Sequence, residues 1–149
     1  MNNDAALASM LADASQSGLF FVDERDTAIV IDAGAALQFH VARIDLRDAR
    51  DKAAVLACFA DALAFPDWVG DNWDALDDAL VDLSWHEAPG HVLLIEHSQH
   101  WRSADVSHGH DGYATLLKIL EDTAQAWSAR GIAWWALVAL SPEAFEAQS

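Results

Sequence analysis

The spacing of apolar residues along the chain switches between helical and strand periodicity, and it predicts short helices and strands in alternation. Helical spacing predicts a helix within residues 1–18 that ends at Ser17-Gly18. The run Leu19-Phe-Phe-Val22 predicts a strand, because aromatic and β-branched residues favour strands. Residues 26–37 are ambiguous, because the β-branched run at 29–31 favours a strand and the alanine-rich segment after it favours a helix.

From residue 38 onward the pattern is more regular. Strands are predicted over residues 38–46, 91–96 and 132–140, and helices over residues 51–64, 71–83 and 113–129. Gly131 follows the last of these helices at the position where glycine most often ends one. A charged turn is expected at residues 47–51, a polar loop at 98–112 and a polar tail at 141–149.

This order of elements indicates the fold class. Strands that alternate with helices pair in parallel through right-handed crossovers. The runs at 91–96 and 132–140 are continuously apolar, which is typical of strands that are buried on both faces. We therefore predict an α/β fold with a small, three- to four-stranded, mostly parallel sheet flanked by helices.

The helix predicted over residues 71–83 carries two opposed rows of side chains. At about 100° per residue, one face carries Trp73, Leu76, Leu80 and Leu83, and the opposite face carries Asp71, Asp74, Asp78 and Asp82. Like charges at this spacing destabilise a helix by about 0.2–0.5 kcal/mol per pair. No lysine or arginine lies between Asp61 and Glu96 in the sequence. A row of carboxylates that is present although it destabilises the helix suggests a site that binds a cationic group.

Composition narrows the class of partner. The chain has 149 residues, of which 53% are apolar, so it is long and apolar enough to form one domain with a core. Its formal net charge is −16, which argues against direct binding of nucleic acid or of anionic membranes. A basic protein would be attracted, and its rate of encounter would be raised.

Cysteine content and hydropathy bear on location. Cys58 is the sole cysteine, so neither an internal disulfide nor a cysteine-rich zinc site can form, and the role of a buried small hydrophobic residue is expected for it. No apolar run approaches the length of a membrane span, and the N-terminus lacks the basic start of a signal peptide. We therefore expect a cytoplasmic location.

The segment before and within the acidic helix resembles a known family. Pro66-Asp-Trp-Val-Gly70, Asp71-Asn72 and Asp74-Ala-Leu-Asp-Asp-Ala-Leu80 are similar to the signature of the barstar family of ribonuclease inhibitors. The order of predicted elements over residues 38–140 agrees with that family's small parallel sheet. The resemblance divides the chain into an N-terminal extension, residues 1–37, packed on a barstar-like domain, residues 38–140, followed by the polar tail.

The resemblance also implies a function and a set of site residues. It implies a non-catalytic, intracellular inhibitor of a small, basic, secreted-type ribonuclease, bound 1:1 through an acidic helix that mimics substrate phosphate. Asp78 would take the place of the phosphate and Asp74 would assist it from one turn earlier. The partner-binding residues implied are Trp68, Gly70, Asn72, Asp74, Asp77, Asp78, Asp82 and Asp122. No cofactor and no metal is implied.

The sequence departs from the family pattern at two positions. Asp77 stands where the reference member has a tryptophan, and Val69 stands where it has a tyrosine. The acid that the third helix should supply matches Asp122, with Glu121 as the next choice. These differences leave open a barstar-like module that neutralises or regulates a different basic nuclease, toxin or cytoplasmic protein.

Two other classes of function compete with this interpretation. The segment His97–His110 contains four histidines near Asp105 and Asp111, a set of side chains that suits a transition metal, although its spacing matches no metal motif. An enzyme using paired carboxylates is the second competitor. It lacks support, because Asp74 and Asp78 have no predicted pocket around them and the chain has no glycine-rich phosphate loop.

Overall fold

The structure is a computed structural model that describes residues 3–148, without the side chains of residues 3–5 and 148. The helices are α1 (Asn3–Ala12), α2 (Thr27–Ala36), α3 (Lys52–Ala62), α4 (Trp73–Asp82), α5 (Gln99–Ser107), α6 (Gly112–Ala129) and α7 (Pro142–Gln148). The strands are β1 (Gly18–Asp23), β2 (His40–Asp45), β3 (Gly90–Glu96) and β4 (Ala133–Leu140). Short 3-10 turns at Ala14–Gln16 and Glu24–Asp26 flank β1.

All four strands belong to one parallel sheet in the order β1-β4-β3-β2. The predicted α/β fold with a small parallel sheet is therefore confirmed, with four strands. In its register, His91 on β3 lies between His40 on β2 and Trp134 on β4. Strand β1, from the N-terminal part of the chain, pairs with β4 at one edge.

Helices cover both faces of the sheet. Side chains of β3 alternate between two cores: Leu93 and Ile95 face α3, α4, α5 and α6, whereas Val92 and Leu94 face α1 and α2. Every residue of β3 and β4 is buried, as their continuous apolar runs predicted. The signature helix α4 thus lies in one outer layer, and the N-terminal helices lie in the other.

The ambiguous segment at residues 26–37 is mostly helix α2. Its buried face consists of Val30, Ala33 and Gly34. A Cβ atom placed on Gly34 would lie 2.6 Å from Cγ2 of Val41, so glycine lets this helix approach β2 closely. Packing against the sheet therefore outweighs the local β-branched preference of residues 29–31.

Two segments expected to be irregular are helical, and the predicted loop at 98–112 was wrong. Helix α5 is anchored by Trp101, which is buried, and by Asp105, whose carboxylate accepts a hydrogen bond from the backbone N–H of Tyr113 at 3.0 Å. In the tail, helix α7 begins at Pro142 and packs Phe145 against the core. In both segments a few buried anchors determine the helix, and the polar residues around them lie in solvent.

Candidate functional site

Helix α4 positions the predicted carboxylates from its first turn onward. The side chain of Asn72 caps the helix, because its Oδ1 accepts a hydrogen bond from the N–H of Ala75 at 2.8 Å. Asp74, Asp78 and Asp82 follow at four-residue intervals and are exposed. These three residues are called the acidic face below. The predicted fourth member, Asp71, precedes the cap and is not part of the helix, which corrects its assignment to this row.

The opposite side of α4 holds the acidic face in a fixed position. Leu76 and Leu80 are buried in the core between the sheet and the outer helices. Trp73, the first member of the apolar row, is half-buried and packs against the ring of Trp101 at 6.4 Å between centroids. The ammonium group of Lys52 lies 5.8 Å from the Trp73 centroid, so a cation from α3 stands near the start of the helix.

Asp77 lies between the acidic face and helix α6. It is half-buried, and burial raises the pKa of its carboxyl group, with further contributions from Asp78, Asp122 and Asp74. Asp122 of α6 therefore lies near Asp77 of α4. The Asp122 carboxylate accepts a hydrogen bond from Nζ of Lys118 at 3.2 Å, and both side chains are exposed.

A cation that sequence reasoning missed lies at the C-terminal end of α4. Nη1 of Arg130 donates a hydrogen bond to the backbone oxygen of Val81 at 2.8 Å, and its guanidinium lies 4.5 Å from the centroid of the Trp127 ring. A cation at this end of a helix interacts favourably with the helix dipole. Arg130 shares a shallow surface groove with Asp77, Asp78, Val81 and Asp82.

The loop before α4 presents an exposed aromatic side chain. Trp68 is 70% exposed, and its ring meets Trp85 edge to face at 6.0 Å. Trp85 is half-buried against the core and donates from its Nε1 to the backbone oxygen of Leu63 at 3.0 Å. A Cβ atom on Gly70 would lie 3.3 Å from Cβ of Ala75, so glycine allows this loop to run close to the helix.

The histidines of the segment His97–His110 do not form a metal centre in the described structure. Within residues 3–148, no three histidine, cysteine, aspartate or glutamate side chains come together in a way that could hold a metal ion. His97 instead pairs with Nη2 of Arg47 at 2.9 Å, and Nδ1 of His108 donates to the backbone oxygen of Ala104 at 2.7 Å.

In the part that the structure describes, no helix is both long enough and apolar enough to cross a membrane.

Cys58 is half-buried against the core. Burial raises the pKa of its thiol, so the protonated thiol is the favoured form.

The part of the chain that contains the acidic face matches a known protein family. The sequence profile of the family described as "Barstar (barnase inhibitor)" matches residues 39–139, about two thirds of the chain. The match begins just before β2 and ends within β4, so it includes α3, α4 and α6. No curated protein sequence matches the chain.

Solved structures share the fold at low sequence identity. The Aeropyrum pernix ORC2 protein, solved as ADPNP–ADP complexes, has a TM-score of 0.55 and 18% identity over 97% of this chain. The Drosophila ORC bound to DNA has a TM-score of 0.52 and 14% identity over 92% of it. The chain spans 42% and 36% of the length of these two proteins. The similarity is therefore one of fold alone.

Proposed function

The chain belongs to the barstar family, and on that premise we propose that it is a non-catalytic inhibitor of a small, basic ribonuclease. It would bind the enzyme 1:1 in the cytoplasm, as an immunity protein or antitoxin, and block the active site with the acidic face. The observation that carries this proposal is the exposure of Asp74 and Asp78 on a helix whose other side is buried.

The chemistry of such a complex follows from the arrangement of α4. A ribonuclease holds the substrate phosphate among cationic side chains, and arginine binds a carboxylate through two parallel hydrogen bonds. Asp78 would occupy the phosphate position and Asp74 would assist it. Because Leu76 and Leu80 are buried, the carboxylates are held in place before binding, and little conformational entropy is lost in the complex.

The remaining site residues would act around these two carboxylates. Trp68 would supply the exposed aromatic contact that protein interfaces favour, and Gly70 and Asn72 would position the loop and the start of the helix. Asp82 would extend the acidic surface along α4, and Asp122 would add an acid from α6. Asp77, where the reference member has an aromatic residue, would contribute charge from a half-buried position.

Long-range electrostatics would favour the same class of partner. The net charge of −16 attracts a basic protein and raises the rate of encounter, more so at low ionic strength. The same charge disfavours DNA, and the glycines of the chain form no phosphate loop. We therefore do not extend to this chain the DNA or nucleotides named for the ORC structures.

A second candidate keeps the site and changes the partner. Asp77 and Val69 replace two aromatic residues of the family pattern, and Lys118 and Arg130 bring positive charge next to the acidic face. These features would suit a basic nuclease, toxin or cytoplasmic protein whose surface carries acids beside its cationic site.

Calorimetric titration of the chain into a barnase-like ribonuclease tests the proposal. We expect 1:1 binding, and we expect Asp78→Ala to weaken it by about 2–5 kcal/mol, because a cation of the enzyme would lose its partner. Asp32→Ala is the matched control, since Asp32 is exposed on α2 in the other outer layer. Absence of binding by the folded chain would refute the ribonuclease as partner. Equal binding by both variants would remove the acidic face from the site.

A further inference from the structure

Three histidines form a cluster at the N-terminal end of β2 and β3. Nδ1 of His40 and Nδ1 of His91 lie 3.1 Å apart, at hydrogen-bonding distance. The ring of His86 stacks on that of His40 with 4.0 Å between centroids and 16° between planes. On its other side, His91 packs against the ring of Trp127 at 5.1 Å. These three residues are called the imidazole cluster below.

The contacts of the cluster disfavour charge on more than one ring. Between His40 and His91, one Nδ1 donates and the other accepts, so only one of the two atoms can carry a proton. Charging both rings would place two N–H groups against each other at 3.1 Å, one of them on His91, which is 1% exposed. Burial, followed by the neighbouring His40 and His86, lowers the pKa of His91 to about 4. Burial likewise lowers the pKa of His40.

The groups that face the cluster offer little to neutralise added protons. Helix α6 contributes the uncharged ring of Trp127, with the guanidinium of Arg130 stacked on that ring. Helix α3 contributes the backbone oxygen of Leu63 at its end. Among the described residues, the charged groups that affect the pKa of His40 or His91 are imidazoles, with no carboxylate among them.

The cluster is connected directly to the loop that carries Trp68. Nε2 of His86 donates a hydrogen bond to the backbone oxygen of Leu63 at 2.9 Å, and Nε1 of Trp85 donates to the same oxygen. Leu63 is the residue at which α3 ends and the loop to α4 begins. Trp85 in turn meets the rings of Phe65 and Trp68 edge to face. One carbonyl group therefore links the imidazole cluster to the aromatic part of the candidate site.

We propose that the imidazole cluster makes this loop sensitive to acid, so that protonation releases the loop and weakens binding of the basic partner. His91 is fixed within β3 and is fully enclosed, whereas His40 and His86 are half-buried and can move outward. Outward movement of His86 breaks its bond to Leu63 and frees the loop. The predicted effect on partner binding rests on the proposed function. The predicted effect on the loop does not depend on that function.

The size of the effect follows from proton linkage. The pKa of His40 is lowered in the closed loop and returns towards 6.5 when the ring is released to solvent, so the open loop binds more protons than the closed loop as the pH falls. Release of one such histidine favours the open loop by at most about tenfold per pH unit. Between pH 7.5 and 5.5, the affinity of the wild-type chain for its partner should therefore fall by up to about tenfold through this cluster.

The test uses a double variant that keeps the hydrogen bonds and replaces two of the three imidazoles with uncharged amides. In His40→Asn and His86→Gln, the amide groups can take the places of Nδ1 and Nε2. His110→Gln is the matched control, because His110 is exposed and lies outside the cluster. The first readout, without any partner, is the indole N–H signal of Trp85 in an NMR titration from pH 7.5 to 5.5. The second readout is affinity for a barnase-like ribonuclease at the two ends of that range.

We expect the Trp85 signal to titrate in the wild type and in the His110 control, and to stay nearly constant in the double variant. The wild type should lose up to about tenfold more affinity on acidification than the double variant does. A constant Trp85 signal in the wild type, or equal losses of affinity, would overturn the inference. If no ribonuclease binds at pH 7.5, the proposed function fails, and the Trp85 titration alone then decides the effect on the loop. If the double variant does not fold, the His86→Gln single variant replaces it.

Discussion

The acidic face and the imidazole cluster place ionisable groups in opposite environments on the same side of the sheet. Asp74, Asp78 and Asp82 lie in water, which solvates their charge. His91 is enclosed by strands and helices and is held neutral by burial. The density of charged residues in the sequence therefore does not indicate which ionisable groups destabilise the fold when they carry charge. The crowded carboxylates cost little because they are solvated, whereas protonation of the enclosed His91 opposes folding.

The two regions share one support, the side chain of Trp127. Its ring packs against His91, and its Nε1 donates to the backbone oxygen of Leu80 in α4 at 2.9 Å. Helix α6 thus holds the helix that carries the acidic face and also forms one wall of the cluster. A change at Trp127 should therefore affect both regions, whereas a change within either region alone should not.

The largest effect is expected from Trp127→Ala. It removes a buried ring and a hydrogen bond between helices, and large-to-small changes of this kind cost about 3–5 kcal/mol. Urea unfolding at pH 7 measures the loss. Trp127→Phe is the control, because it keeps an aromatic ring and should lose less. A cost below about 1 kcal/mol for the alanine variant would show that the support is dispensable.

The second largest effect is expected from acid, which should lower the free energy of unfolding through His91. Because the pKa of His91 is about 4 in the folded state and about 6.5 in the unfolded chain, the unfolded chain binds more protons between these values. The stability from His91 is therefore complete above pH 6.5 and declines as the pH falls, by about 2 kcal/mol at pH 5.

Urea unfolding between pH 7 and pH 5 measures this dependence. The control is His91→Leu, whose stability should change less over the same range, whatever its value at pH 7. The difference between the two slopes removes the contribution of carboxyl groups that both proteins share. Parallel slopes would show that His91 takes up its proton without cost, contrary to its enclosed position.

The smallest effect is expected at the acidic face itself. Asp78→Ala should change the free energy of unfolding by no more than about 0.5 kcal/mol, because an exposed acid leaves a row of like charges. Asn72→Ala is the comparison, since it removes the helix cap and should cost about 1 kcal/mol. Thermal unfolding compares the two variants with the wild type. Unfolding of Asp78→Ala at room temperature would make the acidic face a structural element.

Much of the fold could be predicted because its signals are local. The apolar runs of β3 and β4, the cap and periodicity of α4, and the glycine after α6 each lie within a few neighbouring residues. Gly131 indeed adopts a positive φ of 77° just beyond the end of α6. Helix α5 was missed because its polar composition hides two anchors, Trp101 and Asp105, whose burial depends on distant elements.

The candidate site likewise contains residues that local spacing could place and contacts that only the fold brings about. Asn72, Asp74 and Asp78 could be placed on one helix from spacing alone, and the structure places them so. Arg130 binds Val81 across 49 positions, and His40 meets His91 across 51, so no local pattern could reveal either contact.

The sequence by itself determined the alternation of strands and helices, the acidic row on α4 and the strongly negative net charge, because periodicity depends on neighbouring residues and net charge on the composition. Only the tertiary structure decided which ionisable groups are enclosed. His40, His86 and His91 are scattered along the chain and become one cluster only when β2 pairs with β3. Burial and its effect on a pKa arise from neighbours that folding brings together, which is why the acid sensitivity proposed here could not be inferred from the sequence.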